Sequence, residues 1–243
     1  MLISAKSLSS MPIISSDRIK YDYIDSIITK DGRCLESLIV RGQSLLDLCE
    51  YSVSMSSIKV IIPGEGIYLD VPSNQIEDCM MTSVPSKYRY TSFSGIAEDY
   101  EATHSIWDKM EDRQLSNYFS FNDLCNFNID CLDEKLGKVR DIFFHPVLFT
   151  IFYYSVSTRW GFGRKVAFVT SKCVENLDWS RKSCYLSVVK RDIVGGPLFY
   201  ASTAITEDVE HAVQKHFNKI SLAKSNGLYE TVENLFNKES TSA

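Results

Sequence analysis

LGKVRDIFFHPVLFTIFYYSVSTRWGFGRKVAF, residues 136–168, is the stretch whose reading decides the fold. Residues 138–144 alternate and stop at a turn carrying Pro146. Residues 150–157 are rich in aromatic and β-branched side chains. A glycine turn with Gly161 and Gly163 then leads into a third apolar run at residues 164–170. Alternation of period two, bounded by Pro and Gly, marks strands, and connections this short join antiparallel neighbours. Residues 183–189 alternate again, and Asp192, Ile193 and Gly195-Gly196-Pro197 read as the end of the sheet.

Working outward, the chain overlays on itself. A shift of 116 places Ser4 on Ser120, Leu8 on Leu124, Ile13 on Ile129, Asp17 on Asp133 and Asp25 on Asp141 without a gap. Further on, Lys59-Val-Ile-Ile overlays on Lys165-Val-Ala-Phe if the first copy carries about ten extra residues between Leu45 and Ser57, and Ile67-Tyr-Leu overlays on Cys184-Tyr-Leu. The matches fall on apolar strand positions and turn residues, where a shared fold demands them. The expected architecture is mainly β: two tandem small barrels, because closure removes unpaired strand edges. Residues 1–82 form a diverged first module and residues 118–200 the second. Residues 83–117 form a polar, partly helical linker, and 201–243 a helical tail. In that tail Thr206 is the expected N-cap, with Val209, Val213 and Phe217 on one helix face.

The 243 residues, 44% apolar and 12% aromatic, supply enough material for packed cores. A net charge of −5 provides no global basic field and disfavours nucleic acid as the principal partner. No apolar run is long enough for a membrane span, since His145 and Pro146 interrupt the best candidate, and no leader is recognisable, so a cytoplasmic protein is expected. The seven cysteines are dispersed and form no CxxC pair, as expected of reduced thiols used as small hydrophobes.

On these residues the second copy resembles the PRC-barrel family, named from the cytoplasmic domain of the photosynthetic reaction-centre H subunit. The resemblance is carried by Gly137-Lys-Val-Arg-Asp141, Trp160-Gly-Phe-Gly-Arg-Lys165, Asp178-Trp179 and residues 186–193, and the opening MLISAKSL is similar to the lead-in of stand-alone bacterial members. It covers residues 118–217 well and 2–82 faintly. It implies a fold and a binding or assembly role, with no reaction and no cofactor. The first copy departs from the pattern: Tyr21 stands where the second has Gly137, and the Trp-Gly-Phe-Gly turn is missing.

The candidate interaction residues are Trp160, Phe162, Arg164 and Lys165 at the glycine turn, with Lys138 and Arg140 on the neighbouring strand. Two glycines beside two cations suit an anion. A dinucleotide loop, however, needs a third glycine opening a helix, and here the chain continues as strand, so a plain turn is the stronger reading. His211 and His216 stand five apart and point about 140° apart on a helix, which excludes a shared metal. Cys125 and Cys131 lack a third ligand. Asp141, inside a strand, must be exposed or paired, with Arg140 or Arg164 as the expected partner. The aromatic set Phe143, Phe144, Phe149, Phe152, Tyr153, Tyr154, Trp160 and Phe162 exceeds what one barrel side buries, so alternation is expected to send half of it outward, to cover the first copy, the linker helix or another subunit. The expected function is non-enzymatic: a scaffold acting on a protein partner or through self-association. An RNA- or ribosome-associated factor is the alternative if Lys138, Arg140, Arg159, Arg164, Lys165, Arg181 and Lys182 share one face, and an enzyme with a pocket between the modules is the second.

Overall fold

The computed structural model describes residues 2–42, 50–77, 119–158, 165–200 and 205–225. The helix expected within 83–117 lies outside them. The chain is mainly β, with two sheets and few helices. It divides into two units whose sequence ranges interleave. A C-terminal unit takes residues 1–4, 125–145 and 151–243, and an N-terminal unit takes residues 5–124 and 146–150.

The C-terminal unit is built on β9 (Asn128–Asp130), β10 (Lys135–Phe144), β11 (Ile151–Thr158), β12 (Lys165–Thr170), β13 (Val174–Asp178), β14 (Ser183–Leu186) and β15 (Leu198–Tyr200). Their hydrogen-bonded order is β13-β14-β9-β10-β11-β12-β15. A short strand from the start of the chain, β1 (Ile3–Ser4), also pairs with β10, and the described path is open. The aromatic stretch behaves as its alternation demands: β10 and β11 form an antiparallel hairpin pairing Val139 with Val156 and Phe143 with Tyr153.

The N-terminal unit carries β2 (Ile13–Ile14), β3 (Lys20–Ile28), β4 (Leu35–Gly42), β5 (Glu50–Ser54), β6 (Ile58–Ile62) and β7 (Gly66–Leu69) in the order β5-β4-β3-β2-β7-β6. The strand β8 (Phe119–Ser120) is added on β3. Leu8 of the opening helical turn α1 (Ala5–Leu8) and Ile13, Ile28, Leu38, Val40 and Ile67 are fully buried in its core.

Apart from β15 and the last helix, which have no counterpart among the described residues of the N-terminal unit, the units match element by element. Both long strands carry two β-bulges, at Tyr23/Asp25 and Ile27/Ile28 in β3 and at Val139/Asp141 and Phe143/Phe144 in β10. Each extra residue bends its strand and sharpens the twist of the sheet. In both, a short strand after the lead-in pairs in parallel with a later one, β2 with β7 and β9 with β14. In both, β5 or β12 ends in a short 3-10 turn, Met55–Ser57 or Ser171–Cys173. The preceding Ser54 or Thr170 hydroxyl accepts an N–H of that turn. These turns stand 116 residues apart, like the bulges. The ten-residue insertion expected in the first copy is therefore corrected: Lys59 lies in β6 and has no correspondence with Lys165, which opens β12. Repeated Lys-Val and apolar residues misled the overlay because strands consecutive in the chain have similar patterns.

The sheet also extends further than its glycine-proline punctuation implied. Gly195-Gly196-Pro197 follows a helical turn, α4 (Lys190–Val194), and then β15 pairs with β12. Its counterpart in the N-terminal unit is α2 (Ser73–Glu77). The last helix, α5 (Glu207–Ser225), begins where Thr206 supplies its carbonyl to the Glu210 N–H at 2.9 Å. Val213, Phe217 and Ile220 form its buried stripe, and the helix packs against β12. Spacings of four and three residues put these three on one face, which accounts for the packing.

Candidate functional site

Of the candidate interaction residues, Trp160, Phe162 and Arg164 lie outside the described residues. Lys138 and Arg140 are exposed on β10, and Lys165 is exposed at the start of β12. Cross-strand partners share a face of a sheet, and successive residues alternate. Val139 pairs with Val156 and Val156 with Ala167, so Lys165, two residues before Ala167, belongs to the face of Val139. Lys138 belongs to the other. Arg140 stands at the bulge between Val139 and Asp141. The register thus separates Lys138 from Lys165. It brings Lys165 instead beside Tyr200 of β15, a residue 66% exposed.

Gly137 has a local reason to be glycine. A Cβ there would stand 1.9 Å from the Ser157 carbonyl oxygen across the hairpin. No side chain fits without moving backbone. Lys182, in the turn between β13 and β14, adopts a left-handed φ of 51°, and its carbonyl accepts the Asn128 N–H at 2.9 Å. Arg181 beside it lies 3.7 Å from the Asp178 carboxylate. The Ser180 hydroxyl and the Arg181 amide hold that carboxyl below its usual range.

The aromatic set is largely covered on both faces of the hairpin. Phe143, Phe144, Tyr153 and Tyr154 are all buried, and among the described members only Phe152 is as much as 37% exposed. Phe143 meets Phe168 edge-on at 5.1 Å, and Phe168 stacks on Phe199 at 5.0 Å. Alternation does send these rings to opposite faces, but both faces of the hairpin are covered. The most exposed aromatic of this region among the described residues is Tyr200, which the alternation of the central stretch does not reach.

Two buried carboxylates form the most organised polar groups. Asp141 accepts a hydrogen bond from Ser4 Oγ at 2.5 Å and from the Ile142 N–H at 2.8 Å. Asp25 accepts from Ser120 Oγ at 2.5 Å, from the Ser26 N–H at 2.8 Å and from the Asn122 N–H at 3.1 Å. A hydroxyl on a carboxylate invites comparison with a nucleophile and its base. However, Asp25 and Ser120 are only 2% and 6% exposed, and the second carboxylate oxygen is already occupied by the Ser26 and Asn122 backbone N–H groups, so no substrate reaches the pair. These pairs fasten strands. Asp17 and Asp133 fasten helices: Asp17 accepts the Ser73 N–H at 3.0 Å and the Ser73 hydroxyl at 2.6 Å, and Asp133 accepts the Lys190 N–H at 2.7 Å. The Ser15 and Ser73 hydroxyls pull the Asp17 carboxyl down to about 2.

His216 and Cys125 are held by backbone carbonyls. His216 Nε2 lies 2.6 Å from the Asp192 carbonyl and packs where a Cβ on Gly196 would sit. His211 is exposed, and His104 lies outside the described residues. The Cys125 thiol donates to the Arg140 carbonyl at 3.4 Å. Burial, with Asp133 nearby, pushes the Cys131 thiol up to about 12, and burial pushes Cys184 to about 12. Both remain protonated at neutral pH, the form that neither attacks nor binds metal well. Among the described residues no three His, Cys, Asp or Glu side chains gather as a metal site.

One charged feature has no sequence expectation behind it. Arg41 on β4 and Glu50 on β5 are register partners and form an ion pair in which the Glu50 side chain is only 5% exposed and Arg41 34%. Arg41 Nε and Glu50 Oε2 are buried without a hydrogen-bond partner. The available signal was a charged residue at the inner end of each of two apolar strands. A comparison with protein-family models and a search of curated proteins both return no match to this chain.

Proposed function

We propose that this is a non-catalytic, cytoplasmic binding or scaffold protein made of two PRC-barrel-like modules and acting through protein–protein contacts. The observation that carries the reading is the end of the C-terminal sheet, where β15 presents Leu198 and Tyr200 at 36% and 66% exposure beside Lys165. A strand at the end of a sheet carrying exposed apolar side chains is a template for another chain, which can add to it by main-chain pairing and side-chain burial. The buried carboxylates support the same reading, because their hydrogen bonds are spent on fastening strands. Among the described residues no helix is long and apolar enough to cross a membrane.

The test is a pair of surface substitutions, Leu198→Ser and Tyr200→Asp, in the full chain. Both should leave the thermal transition in place while removing a specific co-purifying protein or lowering the mass measured by light scattering. Wild-type behaviour in both assays would refute the assignment of this edge to binding.

A further inference from the structure

We infer that the chain is built as a reciprocal exchange, in which each half supplies the strand that completes the other half's sheet. A fold made of two independent modules in series would keep each lead-in with its own strands. The N-terminal lead-in instead belongs to the C-terminal unit. Ile3 and Ser4 pair with Phe144 and Phe143, and Ser4 Oγ donates to Asp141. The second lead-in belongs to the N-terminal unit. Phe119 and Ser120 pair with Ile28 and Ile27, and Ser120 Oγ donates to Asp25. The helical turn that follows, α3 (Phe121–Leu124), stays with that unit. It buries Phe121 and Leu124 and closes the joint with the Asn122 side-chain amide on the Ile24 carbonyl at 3.2 Å. Residues 146–150, from the tip of the β10–β11 connection, also belong to the N-terminal unit. There the Leu35 N–H donates to the Phe149 carbonyl at 2.9 Å, and Cys34 bridges to Thr150.

The chemistry of each joint explains why the borrowed strand cannot be dispensed with. Asp25 and Asp141 are buried, and a buried carboxylate that loses a hydrogen-bond donor bears a desolvation penalty. The partner recognised by each half is therefore specific: an extended apolar-Ser dipeptide whose hydroxyl meets the aspartate and whose backbone pairs beside the second bulge. That partner is carried by the other half of the same chain.

The experiment keeps the protein whole until it has folded. A site-specific protease sequence is placed between residues 83 and 117 of the full chain, the purified protein is cut, and the products are run by size exclusion under native conditions over a dilution series. The two fragments should co-elute at the mass of the uncut chain and unfold in one transition whose midpoint falls on dilution. Ser120→Ala should raise the concentration at which they separate by roughly tenfold or more, the effect of one hydrogen bond to a charged group. Two fragments that separate while either keeps its sheet signal would overturn the exchange. So would association unchanged by both Ser4→Ala and Ser120→Ala. Should the cut variant fail to refold, amide hydrogen exchange on the intact Ser120→Ala chain decides the matter. Faster exchange in β3 and β4 is the expected result, with Ser4→Ala accelerating β10 and β11 in the same way, and acceleration by Ser120→Ala in β10 and β11 with β3 and β4 unchanged overturns it.

Discussion

The two units share a frame and differ in what fills it. Both long strands are bulged at the same two places, and both buried aspartates take a serine hydroxyl and a backbone N–H. Around this frame the fillings diverge. Tyr21, buried and edge-on to Tyr51 at 6.2 Å, stands where the C-terminal unit has Gly137, and Tyr51 stands where it has Ala167. On the next row, the Arg41–Glu50 ion pair occupies the register position of Ser157 and Val166. Bulges and carboxylate joints are constrained by backbone geometry and by buried polar groups that have to be satisfied. The intervening volume has only to be filled, and different side chains do so.

The comparison can be broken first at the ion pair. Arg41→Ala leaves Glu50 buried without its counter-charge and should cost roughly 2–4 kcal/mol, below the upper end for buried pairs because Arg41 is partly exposed. Replacing both partners with the residues of the other unit, Arg41→Ser with Glu50→Val, should recover most of that loss. Urea unfolding measures both. A double variant as unstable as Arg41→Ala would mean that the two frames are not interchangeable on this row.

Gly137→Ala probes the opposite face. The other unit holds a tyrosine at the corresponding position, yet the Ser157 carbonyl leaves Gly137 no room for a Cβ. The substitution should destabilise by about 1–3 kcal/mol. A neutral result would show that the hairpin backbone of β10 and β11 relaxes toward the path of β3 and β4.

The smallest effect lies at the helix joints. Because the folded Asp17 carboxyl is held down at about 2, its stabilising hydrogen bonds are fully present above the unfolded value of about 4 and are lost as pH falls from there through 2. Asp17→Asn should therefore be less stable than the parent at neutral pH, with the difference shrinking across that acid window. Thermal melts between pH 7 and pH 2 provide the measurement. A difference independent of pH would place the Asp17 contribution elsewhere than in its charge.

Much of the frame was legible in the sequence, and the reasons are specific. The β10–β11 hairpin announced itself through alternation and Pro146. The helix after Thr206 was visible in the spacing of Val213 and Phe217. Val174–Asp178 escaped because VENLD is short and half polar, and β15 because Gly195-Gly196-Pro197 looks like an ending. The serine and aspartate matches were visible as well: Ser4 with Ser120, and Asp25 with Asp141. What no one-dimensional reading could supply is that Ser4 bonds Asp141 and Ser120 bonds Asp25. A self-overlay pairs equivalent residues and is blind to which unit each one joins. Lys138 and Lys165 were candidates for one basic patch on the condition that they share a face. The cross-strand register, which the sequence does not display, puts them in rows of opposite parity and separates them.

The crossed lead-ins also set a schedule for synthesis. Ser4 and its carboxylate acceptor are separated by 137 residues. At a translation rate of about 5–20 residues per second, the first strand leaves the ribosome roughly 7–27 s before β10 exists to receive it. Over much of that interval β3 has no β8, since Ser120 follows Asp25 by 95 residues. The nascent chain therefore carries an incomplete sheet for seconds, with Asp25 still waiting for its serine. Long-range pairing of this kind is slow and exposed to misassociation. A chaperone that binds apolar strands would have its best opportunity in that interval, before the second lead-in emerges.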